Sequence, residues 1–337
     1  RWFRQLAEFN MTGTAGQKRV PTDFMRNAAI PVPPRPLQDR LVTRIDELFA
    51  EIDDGEAALA RARDDLATWR KALLKAAVTG ELTADWRATN TPKVRGADFL
   101  DSLLADRRAA WRQDDRNGRR SYVEPAGPDP NKSPTLPQGW VWTNVGQISL
   151  VDSGGTPPGI EAASTASGEL PWFKVSSMSL PGNERTLVNS PWWLSREQAK
   201  KANLRVFAAG SIVFPKLGGA MLTNKRRLLA VDACLDLNNM AVTPVGGLGP
   251  YLWRVFGGID FATLSDGSVV PQLKRQAVEA IPVALPPPDE LMELISRLDS
   301  QLDGASELGD DLGRVKPEAD TLRQSILSAA FRGELTA

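Results

Sequence analysis

The chain has 337 residues, enough for two or three domains, and its 41 basic side chains balance 41 acidic ones. Net charge therefore gives no pointer to nucleic acid, and any phosphate-holding surface requires charge to be segregated locally. There is no histidine and one cysteine, Cys234, which excludes Ser-His-Asp and Cys-His nucleophiles, His-ligated zinc and a disulfide framework.

No apolar run approaches the roughly 20 residues of a membrane span, and no secretory signal opens the chain, which begins at Arg1 rather than methionine. Cys234 reads as a small core residue in a reducing compartment. Residues 1–32 contain Ala29-Ile30-Pro31-Val32, which echoes Ala280-Ile281-Pro282-Val283 far downstream. Arg19-Val20-Pro21 likewise echoes Val269-Val270-Pro271.

Residues 33–86 form the first helical region. Ile45, Ile52, Leu59, Leu66 and Leu73 recur every seventh residue, with Leu48, Ala62, Trp69 and Ala76 as companions and Gly55 as the weak member. This seam predicts a coiled-coil helix from about Leu41 to Ala77, roughly 55 Å long. In residues 87–135, Ala97 to Trp111 reads as a short amphipathic helix with Phe99, Leu103, Leu104 and Trp111 near one face. Arg107, Arg108, Arg112, Arg116, Arg119 and Arg120 follow as a basic run, either a solvated face or a rest for phosphates. Pro125, Pro128, Pro130, Pro134 and Pro137 then mark an extended linker.

Residues 136–283 change to short strand-like runs, a mixed α/β domain that carries most of the tryptophans. Trp140–Trp142, Trp172–Val175, Ser211–Phe214 and Met240–Val242 are the predicted strands. Ser153-Gly154-Gly155-Thr156 and Lys216-Leu217-Gly218-Gly219 are predicted tight loops where backbone comes close to something.

Residues 284–337 repeat the helical plan. Ala76-Ala77-Val78-Thr79-Gly80-Glu81-Leu82-Thr83-Ala84 returns 253 residues later as Ala329-Ala330-Phe331-Arg332-Gly333-Glu334-Leu335-Thr336-Ala337. Arg44-Ile45-Asp46 returns at the same offset as Arg297-Leu298-Asp299, and each copy opens on a proline cluster. The second seam is Leu298, Ala305, Leu312, Ala319 and Ile326, partnered by Leu308, Val315, Leu322 and Ala329. Gln301, Gly304, Gly309 and Gly313 weaken it, and Pro317 should bend or interrupt the helix. The two seams are natural partners, either as a paired spacer or as part of an ordinary helical domain. A repeat this long makes the chain a tandem of two similar units.

These motifs together resemble the DNA-specificity subunits of type I restriction–modification systems. The likeness rests on Pro33-Pro34 leading into Leu41–Phe49, on the two Gly-Glu-Leu-Thr helix ends and on Leu136-Pro137-Gln138-Gly139-Trp140. Ser153–Pro157, Gly210–Lys216 and Leu273–Pro282 add to it, so that most of residues 12–337 is covered. The resemblance implies a non-catalytic subunit with α/β (α+β) target-recognition domains and a long antiparallel two-helix coiled-coil spacer. It would direct modification subunits, docked on the helices and expected to number two, to a bipartite double-stranded DNA site. S-adenosylmethionine, ATP and Mg are then expected in modification and restriction/translocase subunits and none in this chain. A cytoplasmic location in a bacterium or archaeon follows.

Against that family the first recognition domain is reduced to its tail. Either the rest of that domain is absent from this sequence, or a second copy supplies the second head. The chain also lacks a Walker A loop and an amino-methyltransferase Asn/Asp-Pro-Pro-aromatic motif. Candidate DNA-contacting residues, chosen by chemistry, are Lys174, Lys216, Lys225, Arg226, Arg227, Lys274 and Arg275, with Asn224, Asn238 and Asn239 suited to base edges. In the N-terminal segment Lys18 and Arg19 join them, beside Thr12, Thr14 and Gln17. Ile45, Ile52, Leu59, Leu66, Trp69, Leu73, Leu298, Leu308, Leu312, Val315, Leu322 and Ile326 are the candidates for the helix-pair and partner interface. The competing reading is a coiled-coil scaffold displaying an α/β module that binds protein or a small ligand.

Overall fold

The computed structural model describes residues 2–13, 18–29, 32–118, 120–129 and 133–335. Thr14, Gln17 and Arg119 and the side chain of Val315 lie outside the described set. In chain order the helices are α1 (Trp2–Phe9), α2 (Thr22–Asn27), α3 (Arg35–Thr79), α4 (Ala84–Thr89) and α5 (Gly96–Gln113). An α/β module then runs through β1 (Val141–Asn144), α6 (Val145–Ile148), β2 (Ser149–Ser153), α7 (Ile160–Ala163), β3 (Leu170–Phe173), β4 (Thr186–Leu187) and β5 (Trp193–Leu194). It continues with α8 (Arg196–Lys201), β6 (Ile212–Pro215), α9 (Gly218–Leu222), β7 (Arg227–Leu229), β8 (Cys234–Leu235) and β9 (Asn239–Pro244). Last come α10 (Gly249–Gly257), α11 (Arg275–Glu279), β10 (Pro282–Leu285) and α12 (Pro288–Arg332). The chain divides into two compact units, residues 1–70 with 301–337, and residues 71–300.

In the first unit α3 and α12 pair antiparallel, because contacts near the start of one helix meet the end of the other. Arg323 pairs with Asp53 and Glu56, each at 2.6 Å, Arg63 donates to the carbonyl of Leu312, and Arg70 donates to that of Ala305 at 2.7 Å. Ile52, Ala305 and Ile326 are buried and Ile45, Leu59, Leu66 and Leu312 half-buried, as the heptad seam requires. Of the companion positions, Leu48, Ala62, Ala76 and Ala329 are half-buried and three differ from expectation. Trp69, Leu308 and Leu322 are 40%, 51% and 52% exposed, and the inward position is one residue later, at Arg70, Gly309 and Arg323. The reason is visible in the contacts: Arg70 bonds across the pair to the carbonyl of Ala305 and packs alongside Gly309, where a Cβ would lie at contact distance, 3.5 Å, from the guanidinium. Nor does Pro317 interrupt α12, which is one continuous 45-residue helix. The missing donor costs one ladder bond, and cross-helix bonds at Leu312 and Arg323 hold the helix on either side.

In the second unit Leu73, Ala77, Leu291, Leu294 and Leu298 are buried, and Glu290 sits with no exposure at the start of α12. Its carboxylate accepts from Thr83 Oγ1 at 2.7 Å, from Trp140 Nε1 at 2.8 Å and from Arg87. The Gly-Glu-Leu-Thr turn after α3 thus exists to deliver Thr83 to this group. Helix α5 forms where the amphipathic pattern placed it, and the arginine run divides: Arg112, Arg116 and Arg120 are exposed as on a solvated face, whereas Arg107 and Arg108 are engaged within the unit. Arg107 is buried and donates to Ser149 O at 3.0 Å and to Tyr122 Oη at 2.8 Å, while Arg108 lies over the same ring and pairs with Glu124. The proline-rich segment is tied down too, Asn144 donating to Ala126 O and Trp142 Nε1 to Pro134 O, each at 2.7 Å.

Among the described residues the module has three sheets: a five-stranded one in the order β2-β9-β6-β7-β4, a three-stranded one, β5-β3-β8, and an antiparallel β1-β10 ribbon. All neighbours in the large sheet are antiparallel except β4 and β7. Period-two alternation sends Val213 and Ala241 into one core with Phe173, Met178, Leu187, Phe207 and Leu235. Phe214 faces the other way and stacks on Phe261 and Phe256 at 4.6 and 5.7 Å. Cys234 is fully buried in a cluster with Trp172 and Leu194, and burial pushes its thiol up to about 12.

The displaced seam gives a stability prediction. Leu322→Ser should alter unfolding free energy by no more than about 0.5 kcal/mol, whereas Ile326→Ala, two contacts away on the buried face, should cost roughly 2–4 kcal/mol in urea titrations. Equal losses would return Leu322 to the seam.

Candidate nucleic-acid interface

Strand direction decides which loops can meet. β2 and β6 end, and β9 and β7 begin, at the same end of the large sheet, because each of these strands is antiparallel to its neighbour. That end therefore collects the Gly-Gly loop after β2, the turn before β9, the Lys216 loop after β6 and the Asn224–Arg226 turn before β7. The loops are fastened to each other by backbone bonds. Gly154 N donates to Asn239 O at 3.1 Å, Gly155 N to Leu235 O at 2.9 Å and Lys216 N to Asn238 O at 2.9 Å. Gly154 has no alternative, since a Cβ there would come within 2.3 Å of the carbonyls of Leu235 and Asp236. Gly218 N then donates to Pro271 O, and Leu273 N to Lys216 O, each at 2.8 Å, which adds the 265–272 loop to the row.

Lys216 stands in the middle. Its ammonium donates to Ser153 Oγ at 3.0 Å, and partial burial lowers its pKa from the ordinary lysine value, with the carboxylate of Asp236 opposing the shift. Asp236 is itself buried, which raises its pKa against the hydrogen bonds from Asn238 and Asn239. Asn238 is half-buried and Leu237 beside it is exposed. Lys274 is 64% exposed, 3.7 Å from Asp266, and Arg275 is half-exposed between Asp152 and Glu279. Lys225 reaches Ser179 Oγ at 2.9 Å. In the other unit Lys18 and Arg19 are both exposed, Arg19 closing a short bridge with Thr12.

Five of the candidates chosen by chemistry are instead engaged inside the module. Lys174 lies over Trp192 at 4.1 Å and Trp172 at 5.1 Å and pairs with Glu161. Arg226 donates to Asn224 O and Ile259 O at 3.0 Å and covers the Phe261 ring at 4.9 Å, and burial lowers its pKa. Arg227 donates to Met178 O at 3.0 Å, to Arg226 O and to Asn183 O. Asn224, in the left-handed region at φ 54°, bonds Asp260 and the amide of Phe261. Asn239 is fully buried and donates to Asp236 at 2.8 Å. A guanidinium carries five donors, and here carbonyls of neighbouring turns take several of them, while Arg226 Nη1 is buried without a hydrogen-bond partner. Reading by residue type missed Leu237, Ser268 and Val269. Their signal was two valines after the Asp-Gly-Ser turn, with no alternating strand pattern to bury them.

Among the described residues no cluster of His, Cys, Asp or Glu could hold a metal ion, and no helix is long and apolar enough to cross a membrane. The described residues thus define a protein of two parts, an antiparallel helix pair and a loop-edged α/β module. No family model matches the chain. It is 22% identical over 310 residues to the type I restriction enzyme EcoDI specificity subunit of Escherichia coli, matching 90% of this chain and 62% of that protein. It superposes on the HsdS subunit of Thermoanaerobacter tengcongensis with a TM-score of 0.55 at 17% identity, over 99% of this chain and 68% of the other. A chain solved in a study of complex assembly and conformational transition of the type I R-M system aligns with a TM-score of 0.66 at 17% identity, over 98% and 68%. The chain is a relative of the type I specificity subunits and shares their fold. It spans less than two thirds of the length of the curated relative named above.

Loss of the Arg226 guanidinium should be a folding defect. Arg226→Ala is expected to destabilise the module by roughly 2–4 kcal/mol in chemical denaturation, since three hydrogen bonds and a ring stack go with it. Unchanged stability would release Arg226 for external contacts.

Proposed function

We propose that the chain is the DNA-specificity component of a type I restriction–modification complex, a subunit that reads sequence and performs no chemistry of its own. The observation that carries this reading is the row of fastened loops at one end of the large sheet, with Lys216 at its centre and Asn238, Lys225, Lys274 and Arg275 around it. Such a row offers cations to phosphate oxygens and short polar side chains to base edges. Lys18 and Arg19 are the corresponding candidates in the N-terminal segment, the tail of a first recognition domain, with residues 136–283 as the second.

The segments 33–86 and 284–337 serve in this reading as the spacer that sets the gap between half-sites and as the dock for two modification subunits, to which restriction subunits are added. The exposed Trp69, Leu308 and Leu322 are suited to that docking, because large apolar side chains outside the seam are what a partner would cover. The cofactors reside in those partners, and the complex works on double-stranded DNA in the bacterial cytoplasm.

The test is binding of the full chain with its modification subunits to a randomised duplex library over a salt series. A defined adenine-containing motif should be enriched, with affinity falling steeply as salt rises. Lys216→Ala should weaken binding by a similar factor on all sequences and reduce the salt slope by about one. Salt-insensitive or absent binding would favour the scaffold reading. Leu59→Asp should prevent recovery of the modification subunits with the chain; normal assembly by that variant would remove the helices from docking.

A further inference from the structure

The 265–272 loop is built more firmly than a loop with an apolar tip ordinarily needs to be. Asp266 N donates to Gln272 O at 3.2 Å, and Ser268 caps the turn by donating through its backbone and its hydroxyl to Asp266 Oδ1 at 3.2 and 2.7 Å. Gly267 takes φ 71°, and the base of the loop is pinned to Lys216 and Gly218 by two 2.8 Å backbone bonds. At the tip Val269 is fully exposed, and Val270 is 56% exposed with its inner methyl against Gly218. A pre-ordered loop that presents a branched apolar side chain to water has lost conformational entropy and gained no burial in return.

The surroundings identify what would cover it. Asp266 and Ser268 share the turn with the two exposed valines, Lys274 pairs with Asp266, and the base of the loop is fastened to the Lys216 backbone, so two valine side chains stand at an otherwise polar edge, far less than the core of a protein interface. In the major groove of DNA only thymine presents an apolar group, its C5-methyl, among edges that otherwise offer donors and acceptors. Resting on the DNA-reading function proposed above, we infer that Val269 is a specificity-determining residue that packs on a thymine methyl, with Lys216 and Lys274 holding the flanking phosphates. Val270 supports it from below.

The experiment uses the full chain in complex with its modification subunits and duplexes of the enriched motif in which each thymine is replaced in turn by uracil. At one position the loss of the methyl should weaken wild-type binding about fivefold, the weight of one buried methyl. Val269→Ala should lose a similar factor on the thymine duplex and show no further loss on uracil, with an unchanged melting temperature. A uracil profile identical in Val269→Ala and wild type, with sequence-specific binding intact, overturns the inference and leaves the DNA-reading function standing. Uniform weakening on every sequence, with the thymine-to-uracil ratio preserved, also overturns it by making the loop a backbone contact. Failure of the wild type to select any sequence removes the underlying function and the inference with it.

Discussion

A fully buried carboxylate organises the larger unit. Glu290 could not be withdrawn from water alone, because an isolated carboxylate in an apolar interior costs several kcal/mol or more. Three donors from three segments make it tolerable: Thr83 from the turn after α3, Arg87 from α4 and Trp140 from the approach to β1. Remove any one and the others are left facing an under-satisfied charge. The end of one long helix, the start of the other and the entry to the recognition module are therefore fixed by a single group. The repeated Gly-Glu-Leu-Thr signature, noticed first as a likeness between two stretches of sequence, is in its first copy the local expression of that requirement.

The balanced charge of the chain has a related explanation. Arginine here acts largely as a fastener between segments. Arg107 joins α5 to β2 and Tyr122, Arg205 lies between Asp114 and Asp152, and Arg254 pairs with Asp299. Arg226 and Arg227 close the turn before β7 onto surrounding carbonyls. Outward cations remain on α3, α5 and α8, as well as at the loop end of the large sheet, where Lys225, Lys274 and Arg275 lie. A neutral total is thus compatible with a locally basic edge, because the paired charges are internal.

The elements formed by long periodic patterns were legible: α3, α5, α12 and the strands β1, β6 and β9 lie where alternation or heptads placed them. The seam was legible at every seventh residue and misread at three companions, Trp69, Leu308 and Leu322, because an apolar residue was preferred to the arginine or glycine beside it. Trp69 lost to Arg70 and Leu308 to Gly309 through a cross-helix hydrogen bond that no hydrophobic pattern encodes. The candidate interface was legible as Lys216 between a strand and a glycine loop, and as the need for backbone closeness at Gly154. Selecting arginines and asparagines by their suitability for bases failed to separate donors that face outward from donors already taken by carbonyls, since that depends on contacts across as many as 66 residues. Val269 was passed over because valine suggests a core until its surroundings are known.

The polar occupants of the helix seam carry one more consequence. An all-apolar seam can slide by seven residues and meet an equivalent surface, so it sets orientation more firmly than alignment. Here Arg63 and Arg70 bond backbone carbonyls seven residues apart, which a one-heptad slip would reproduce, but Arg323 clasps two carboxylates, Asp53 and Glu56, that recur together at neither neighbouring register. Alignment of the pair is therefore marked at one place, where a single arginine meets two acids, while the rest of the seam sets only its direction.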